Sequence, residues 1–326
     1  MGDPAGIGPE VILAALAPAS VRRGASCVLV GDAAWLQRAA RRLGLPWPWR
    51  VVQAVDWGPD APPCQLWDVV RVPAGVRLGR VQAAAGRVAL AALDRAIALA
   101  RTGPADALVT APVSKAAISR TGRRWIGHTE YLGAACAVAH PVMMFVAGTL
   151  RVSLVTTHEA LARAIRAITP ARVARAVTLT AKALEGDLGI RRPRVAVAAL
   201  NPHAGEGGLL GSEEQRWLAP LVRRLAARVP GQLSGPWPAD TVFARAARGQ
   251  HDAVVAMYHD QALIPIKLLA WDRAVNVTLG LPFVRTSPSH GTAFDLAGTG
   301  RADPRSMRHA VTLAIAMAHR AHRRRR

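Results

Sequence analysis

Short apolar runs alternate along this chain with longer segments in which apolar residues recur at helical spacing. Residues 27–31 and 107–111 are apolar runs of strand length, and residues 88–100 and 173–184 repeat apolar side chains every three or four positions. Such alternation is typical of α/β proteins, in which helices cover a largely parallel sheet. The pattern therefore predicts an α/β fold.

Local capping signals predict where some helices begin and end. Thr169 precedes a proline and matches an N-cap, and Gly186 can end the helix that follows. Ser212 and Gln215 have the spacing of a capping box, which predicts a second helix start. Residues 46–73 are rich in proline and tryptophan and are predicted to be irregular.

Three histidines share one setting in the sequence. His158, His203 and His259 each follow an apolar run of strand length and begin or lie in a polar turn. In open α/β sheets, binding sites form outside the carboxyl ends of the strands. Three imidazoles at such an edge can hold one divalent metal and leave a coordination position for substrate. A hydrogen-bonded histidine at a strand end is the alternative for each one alone, but three in the same setting favour a shared site.

The chain is strongly basic, with 42 Lys and Arg residues against 21 Asp and Glu, a formal net charge of +21. Lysine occurs only at positions 115, 182 and 267, and the arginines are scattered except in the tail at residues 322–326. No aromatic residues are interleaved with them in the manner of single-strand binders. A nucleic-acid binder is therefore the disfavoured alternative, and the positive field suits attraction of an anionic substrate.

Composition also limits the cellular setting. A hydrophobic content of 51% excludes general disorder, and no uncharged apolar run reaches the ~18 residues of a membrane span. The first residues lack the basic and apolar segments of a signal peptide. Three cysteines without CxxC spacing are typical of reduced thiols. We expect a cytoplasmic protein with no membrane partner.

Four glycine-rich or polar segments interrupt the apolar pattern: GDPAGIGPE at 2–10, GHTE at 127–130, NPHAGEGG at 201–208 and HGTAFDLAGTG at 290–300. Glycines permit positive φ and close approach to a ligand, and helix N-termini favour anions. The alternatives are a tight turn for the first, helix capping by Thr129 for the second and a flexible turn for the third. No G-x-G-x-x-G follows a predicted strand, so either no nicotinamide cofactor binds or a different fold binds it.

Several charged residues are candidates for chemistry. Lys267 and Lys115 are candidates for proton transfer, because lysine can lose its proton on burial whereas arginine cannot. Asp240 and Asp260 are carboxylates near the third histidine, although Asp240 alternatively caps a helix. Arg285 suits a two-pronged contact with an oxyanion. Plain surface exposure is the alternative for both lysines and for Arg285.

Together these motifs resemble those of the 4-hydroxythreonine-4-phosphate dehydrogenase family over essentially the whole chain. GDPAGIGPE, GHTE, NPHAGEGG, MYHDQ and RTSPSHGTAFDLAG occur in the order and spacing of that family. The last segment is also similar to the cofactor loop of isocitrate and isopropylmalate dehydrogenases. The resemblance implies their two-domain α/β fold, with the active site in the interdomain cleft and NAD or NADP bound without the usual fingerprint. It implies a first domain of residues 1–125 and 276–326, which carries the cofactor loop, and a second of residues 126–275, which carries the metal histidines and the dimer contacts.

The resemblance also implies a set of site residues. The family's metal ligands correspond to His158, His203 and His259, and its substrate contacts to His128, Thr129, Lys267, Asn276 and Arg285. For the cofactor we expect Gly291, Thr292, Asp295 and Gly298, and for proton transfer Lys267 with Asp240 or Asp260. One divalent metal is implied (zinc, magnesium or cobalt), although imidazole ligands alone do not select among metals. The family is a homodimer whose site takes ligands from both subunits.

The reaction implied is NAD(P)-dependent oxidation of 4-phosphooxy-L-threonine at C3. Decarboxylation to 3-amino-2-oxopropyl phosphate follows, in pyridoxal 5'-phosphate biosynthesis. Related dehydrogenases act on a phosphorylated threonate or erythronate, or on an aromatic dihydrodiol, and these remain alternatives. A three-histidine metal hydrolase without NAD is an alternative of another class.

Two positions depart from the family pattern. Met1 stands directly before the first glycine-rich turn, where the family usually has a β-strand, so we expect an apolar strand upstream in the natural protein. Ser289 stands where the family commonly has Asp before the histidine of the HGTA segment, which changes a local charge or hydrogen bond.

Overall fold

The structure is a computed structural model that describes residues 1–123 and 127–325. Its strands are β1 (Cys27–Gly31), β2 (Arg50–Val52), β3 (Cys64–Asp68), β4 (Ala107–Val109), β5 (Val142–Ala147), β6 (Leu150–Leu154), β7 (Arg194–Ala198), β8 (Gln232–Trp237), β9 (Ala253–Ala256), β10 (Val275–Leu279) and β11 (Val284–Pro288). Its helices are α1 (Gly8–Leu16), α2 (Ala19–Arg22), α3 (Ala33–Arg42), α4 (Ala83–Thr102), α5 (Lys115–Ser119), α6 (His128–Ala135), α7 (Leu161–Ala167), α8 (Pro170–Gly186), α9 (Ala219–Ala226), α10 (Ala239–Ala247), α11 (His259–Ala270) and α12 (Arg305–Arg325). None of these helices is long and apolar enough to cross a membrane.

The first compact unit comprises Met1–Cys136 and Pro282–Ile315. In it, β1, β3 and β2 form a parallel sheet in that order, and β4 pairs with β11 in parallel. Leu36 of α3 and Leu66 of β3 are fully buried in the core of this unit. Burial of each such leucine stabilises the fold by about 1.5–3 kcal/mol.

The second compact unit comprises Ala137–Leu281 and Ala316–Arg326. Its strands follow the order β10-β5-β6-β9-β7-β8. β5 is antiparallel to both of its neighbours, whereas β6, β9, β7 and β8 are mutually parallel. Every residue of β5 and β9 is buried, as expected for strands covered on both faces. The carboxyl ends of β6, β9 and β7 therefore lie along one edge of the sheet.

The sequence correctly predicted the α/β class and several elements. The helix predicted after Thr169 is α8, where the Thr169 hydroxyl accepts a hydrogen bond from the backbone N–H of Arg172 at 3.3 Å, and the helix ends at Gly186. The strands predicted before His158, His203 and His259 are also confirmed, as β6, β7 and β9. Local sequence was sufficient at these places.

Two local predictions are wrong. Residues 46–73 contain β2 and β3, because both strands obtain their hydrogen bonds from pairing within the β1-β3-β2 sheet. Ser212 does not form a capping box: a single π-helical turn starts at Glu214 without a side-chain cap. The carboxylate of Glu214 instead accepts hydrogen bonds from the backbone N–H groups of Leu200 and Asn201, at 2.9 and 2.8 Å.

The compact units differ in their bounds from the domains expected from the sequence. The expected boundary between residues 125 and 126 lies outside the described residues. His128 and Thr129 fall in the first unit rather than the second. Their helix α6 is joined to α4 because the Tyr131 hydroxyl donates to the carboxylate of Asp94. Residues 316–326 group with the second unit.

Candidate functional site

In the first unit, the glycine-rich turn at residues 2–10 lies against the loop at residues 290–300. The backbone N–H of Ile7 donates to the carbonyl oxygen of Thr292 at 3.0 Å. A Cβ on Gly6 would lie 2.9 Å from the same carbonyl oxygen. Because that contact is closer than a side chain tolerates, glycine is required here. The turn is thus the support on which the predicted cofactor loop rests.

The four predicted cofactor residues lie on this loop. Gly291 and Asp295 are exposed, and Thr292 and Gly298 are half-buried. A Cβ on Gly291 would meet no described atom within 4 Å. Between these positions the backbone forms a short 3-10 turn at Phe294–Leu296. The loop therefore combines a fixed base with space and exposed polar groups at its surface.

Asp3 anchors the glycine-rich turn from inside the first unit. Its side chain is 0% exposed, and its Oδ1 accepts a hydrogen bond from the backbone N–H of Ala5 at 2.9 Å. Its own N–H donates to the carbonyl of Pro112 at 3.0 Å. Burial raises the pKa of Asp3 to about 6, although hydrogen bonds from the backbone of Ala5 and Ser114 oppose the shift. The anchor is therefore a buried carboxyl group that titrates near neutral pH.

Arg285 and His128 belong to a basic cluster in the first unit. Arg285 of β11 is 1% exposed and donates from Nη2 to the hydroxyl of Thr110 at 2.6 Å. Burial lowers the pKa of Arg285, whereas the negative charge of Glu130 raises it. Burial, followed by the positive charges of Arg285 and Lys115, holds the pKa of His128 well below its usual value. Such a cluster favours an anion, because a negative charge would stabilise the buried Arg285 cation and a neutral His128 can still donate a hydrogen bond.

Thr129 adds a hydroxyl group next to His128 at the start of α6. The alternative that Thr129 caps the helix is wrong, because the N-cap of α6 is Gly127. Thr129 is buried, and its Oγ1 has no hydrogen-bond partner among residues 1–123 and 127–325. A buried hydroxyl without a partner is unfavourable unless a ligand supplies one.

In the second unit, the structure brings together two of the three predicted metal ligands. The ring centroids of His158, after β6, and His259, after β9, lie 5.7 Å apart. His259 is the first residue of α11, and its Nδ1 lies 2.7 Å from Oδ1 of Asp260. Since Asp260 engages Nδ1, it leaves Nε2 of His259 to bind a metal, as carboxylate–histidine pairs commonly do.

The third predicted ligand, His203, lies in an unusual turn after β7. Five consecutive residues from His203 to Gly207 have positive φ, between 42° and 83°. The turn is therefore left-handed, and Nδ1 of His203 lies 2.8 Å from a carboxylate oxygen of Glu206. Within the part of the chain that the structure describes, no three His, Cys, Asp or Glu side chains gather into a metal-binding group. The described residues of one chain thus bring together two of the three predicted imidazoles.

The remaining predicted residues of the second unit are spread over three elements. Lys267 is exposed on α11, eight residues after His259, with Nζ 5.4 Å from the ring centre of Trp271. At about 1.5 Å per residue, that spacing corresponds to about 12 Å along the helix. Asn276 lies in β10, and its Oδ1 is buried with no hydrogen-bond partner among the described residues. Asp240 is exposed in the first turn of α10, whose N-cap is Pro238.

Three supporting residues were not predicted from the sequence. Thr110 accepts the hydrogen bond that holds Arg285 in place. Gln261 accepts from the N–H of Met257 at 2.7 Å and donates to the carbonyl of Ala199 at 2.9 Å, which ties the end of β9 to the end of β7. Glu10 accepts a hydrogen bond from the backbone N–H of Gly298. Glu10 stands out in the sequence as an acidic residue directly after Gly8-Pro9, but its partner Gly298 lies 288 positions away, so the contact was not predictable.

Comparison with known proteins identifies consistent relatives. Residues 23–314 match the family described as Pyridoxal phosphate biosynthetic protein PdxA. The chain is 46% identical to a 4-hydroxythreonine-4-phosphate dehydrogenase of Geobacter metallireducens, over 98% of this chain and 94% of that protein. It is 44% identical to a D-threonate 4-phosphate dehydrogenase of Cupriavidus necator, over 98% and 96% of the two chains. A crystal structure of the 4-hydroxythreonine-4-phosphate dehydrogenase of Klebsiella pneumoniae superposes with a TM-score of 0.84 at 40% identity, covering 98% of this chain and 96% of that one.

Proposed function

Because this chain belongs to the family of pyridoxal phosphate biosynthetic proteins PdxA, we propose that it is an NAD(P)- and metal-dependent dehydrogenase of 4-phosphooxy-L-threonine. In this reaction C3 would lose a hydride to the nicotinamide cofactor, and its hydroxyl group would lose a proton to the protein. The resulting 3-oxo acid loses CO2 and leaves 3-amino-2-oxopropyl phosphate. The observation that carries the proposal is the pair of imidazoles, His158 and His259, at the ends of parallel strands.

The donor set fits a divalent metal. His158 and His259 are close enough to share an ion, and Asp260 orients the second ring. His203 is oriented by Glu206 in the same manner. We propose that His158, His203 and His259 are the ligands and that the set is completed across two subunits. The absence of a three-ligand group within the described residues of one chain supports this arrangement.

The loop at residues 290–300 fits a dinucleotide. Gly291 leaves open space for close approach, and Thr292, Asp295 and Gly298 supply hydroxyl, carboxylate and backbone groups. When bound, the metal and the nicotinamide supply a Lewis acid for the hydroxyl and an acceptor for the hydride.

The substrate phosphate is assigned to the basic cluster of the first unit. Arg285 is held by Thr110 with its guanidinium buried, so it is pre-oriented for an oxyanion. Neutral His128 and the hydroxyl of Thr129 add donors on α6. We assign Lys267 and Asn276 of the second unit to further substrate contacts, and Lys267 with Asp260 or Asp240 to proton transfer from the C3 hydroxyl.

A second copy of the chain is the partner that this function requires. Ile264, Leu268 and Trp271 leave large apolar surfaces exposed on and just after α11, the helix that begins at His259. Exposed apolar surface of this size next to a predicted site is typical of a protein interface. We propose a cytoplasmic homodimer in which this surface is covered.

The D-threonate 4-phosphate dehydrogenase relative favours a second candidate function at nearly the same identity, 44% against 46%. The two substrates share the 4-phosphate and the C3 hydroxyl but differ at C2, which carries an amino group in one and a hydroxyl in the other. Nucleotide reduction should therefore be measured with both substrates, each with NAD and NADP, under zinc, magnesium and cobalt in turn. Reduction with 4-phosphooxy-L-threonine at the higher kcat/KM supports the proposal, and the reverse order supports the second candidate. Turnover of neither, with no thermal shift by nicotinamide nucleotides, would contradict both.

A further inference from the structure

Glu10 is a buried acid that the proposed reaction does not use. It lies in the first turn of α1, and its side chain is 4% exposed. Its Oε1 accepts a hydrogen bond from the backbone N–H of Gly298 and lies 3.5 Å from Nη2 of Arg42. Its Oε2 is buried and has no hydrogen-bond partner among residues 1–123 and 127–325. One oxygen of this carboxylate thus makes both of its polar contacts.

The contact falls on a glycine of the predicted cofactor loop where the backbone has positive φ. Gly298 has φ of +85°, and a Cβ there would lie 2.9 Å from Cδ1 of Leu78. Glycine adopts this conformation without strain, whereas a side chain here would also collide with Leu78. The carboxylate of Glu10, in α1, holds the backbone N–H of this glycine. The bond joins residues 288 positions apart.

Glu10 forms the second of two anchors for the loop. The first is the bond from the N–H of Ile7 to the carbonyl of Thr292. Both anchoring groups lie at the start of α1, three residues apart, and exposed Asp295 lies between the two anchored loop positions. Two anchors fix both the position and the tilt of the segment between them. Groups held in advance bind a ligand more tightly, because less freedom is lost on binding.

We propose that Glu10 is a positioning residue that sets the affinity for the dinucleotide by holding Gly298 and, through it, the loop at residues 290–300. The inference rests on the proposed function in one respect only: the ligand of this loop is NAD or NADP. Glu10 acts through the loop backbone, so its loss raises the KM for nucleotide and leaves kcat at saturating nucleotide nearly unchanged.

Matched variants at position 10 test the contact. Glu10→Asp keeps the charge but shortens the arm by one methylene, and Glu10→Gln keeps the length and an acceptor oxygen. We expect Glu10→Asp and Glu10→Ala to weaken nucleotide binding about tenfold, the effect of one hydrogen bond to a charged group. Glu10→Gln should bind nucleotide within about threefold of the wild-type affinity, since its amide oxygen can still accept a hydrogen bond from the N–H of Gly298. Arg42→Ala is the control, because it removes the 3.5 Å ion pair and keeps the bond to Gly298.

The readouts are dissociation constants of NAD, NADH, NADP and NADPH by calorimetry, KM and kcat for nucleotide, and hydrogen exchange of amides 291–300. Faster exchange of these amides in Glu10→Asp, with a raised KM and a kcat within about twofold of wild type, supports the proposal. Wild-type affinity and exchange in Glu10→Asp, or an equal loss in Glu10→Gln and Glu10→Asp, overturns it. Should Glu10→Ala not fold, the Asp and Gln variants still decide. If the wild-type protein binds no nicotinamide nucleotide, the proposed function is contradicted. Hydrogen exchange would still show whether Glu10 holds the loop, because that measurement does not require a bound nucleotide.

Discussion

Replacing Asp3 by Asn should remove a penalty on folding that the wild-type protein carries at neutral and alkaline pH. The folded state raises the pKa of Asp3 from 3.8 to about 6 by burial. A group with a raised pKa contributes stability that is fully present below its unfolded pKa and is lost as the pH rises through its folded pKa. The difference between 3.8 and about 6 corresponds to about 3 kcal/mol in the free energy of unfolding.

The substitution is well matched to the geometry. The amide group of Asn has nearly the size of the carboxylate, and its oxygen can keep the bond from the N–H of Ala5. The Asn variant is neutral at every pH. Its free energy of unfolding relative to wild type should therefore rise by about 2.4 kcal/mol between pH 4 and pH 8, because part of the effect already lies below pH 4.

The assay is urea denaturation of both proteins, followed by circular dichroism at half-unit steps from pH 4 to pH 8. Titrating groups far from Asp3 contribute equally to the two proteins and cancel in the difference between them. A difference that does not change with pH would refute the reasoning, because it would mean that Asp3 ionises in the folded protein as it does in the unfolded chain.

Three further outcomes are expected. His259→Ala should abolish bound metal, measured by atomic absorption, while leaving the circular dichroism spectrum unchanged; wild-type metal content would contradict its role as a ligand. Arg285→Lys should bind the phosphorylated substrate about tenfold to a hundredfold more weakly, because the two-pronged contact is lost. Equal turnover of the unphosphorylated analogue by the wild type would contradict the phosphate assignment. Gly6→Ala should lower stability by about 1–3 kcal/mol, since its Cβ would lie 2.9 Å from the carbonyl oxygen of Thr292. Gly75→Ala is the control, with no described atom within 4 Å of the new Cβ, and equal thermal melts of the two variants would contradict this reading.

Elements whose hydrogen bonds and caps are local were predictable from the sequence. Helix α8 begins after Thr169 and ends at Gly186, as the capping residues indicate. Strand β3 was missed, because its five residues are flanked by prolines and become a strand only by pairing with β1 and β2. The start at Glu214 was missed for a similar reason, since distant backbone groups of Leu200 and Asn201 hold its side chain. Local sequence patterns did not predict these contacts, because they join residues far apart in the chain.

The candidate site was likewise predictable from the sequence only in part. The ends of parallel strands meet at one edge of a sheet, so the sequence could place His158 and His259 near each other. The sequence predicted neither the left-handed turn that contains His203 nor the hydrogen bond between Glu10 and Gly298. The turn depends on an unusual backbone conformation, and the hydrogen bond joins residues far apart in the chain. The assignment of individual residues to metal, substrate and proton transfer stays a prediction.

The left-handed turn from His203 to Gly207 constrains which sequences this position can accept, independently of chemistry. Each non-glycine residue there adopts a backbone of the unfavoured hand, at about 1–2 kcal/mol. A library randomised at Ala204 and Glu206 should therefore return mainly glycine, asparagine and aspartate, and exclude valine and isoleucine, even when the selection is only for folding. Histidine is itself among the residues that tolerate this hand best. The left-handed backbone thus limits which residues the turn can accept, whatever catalysis requires of them.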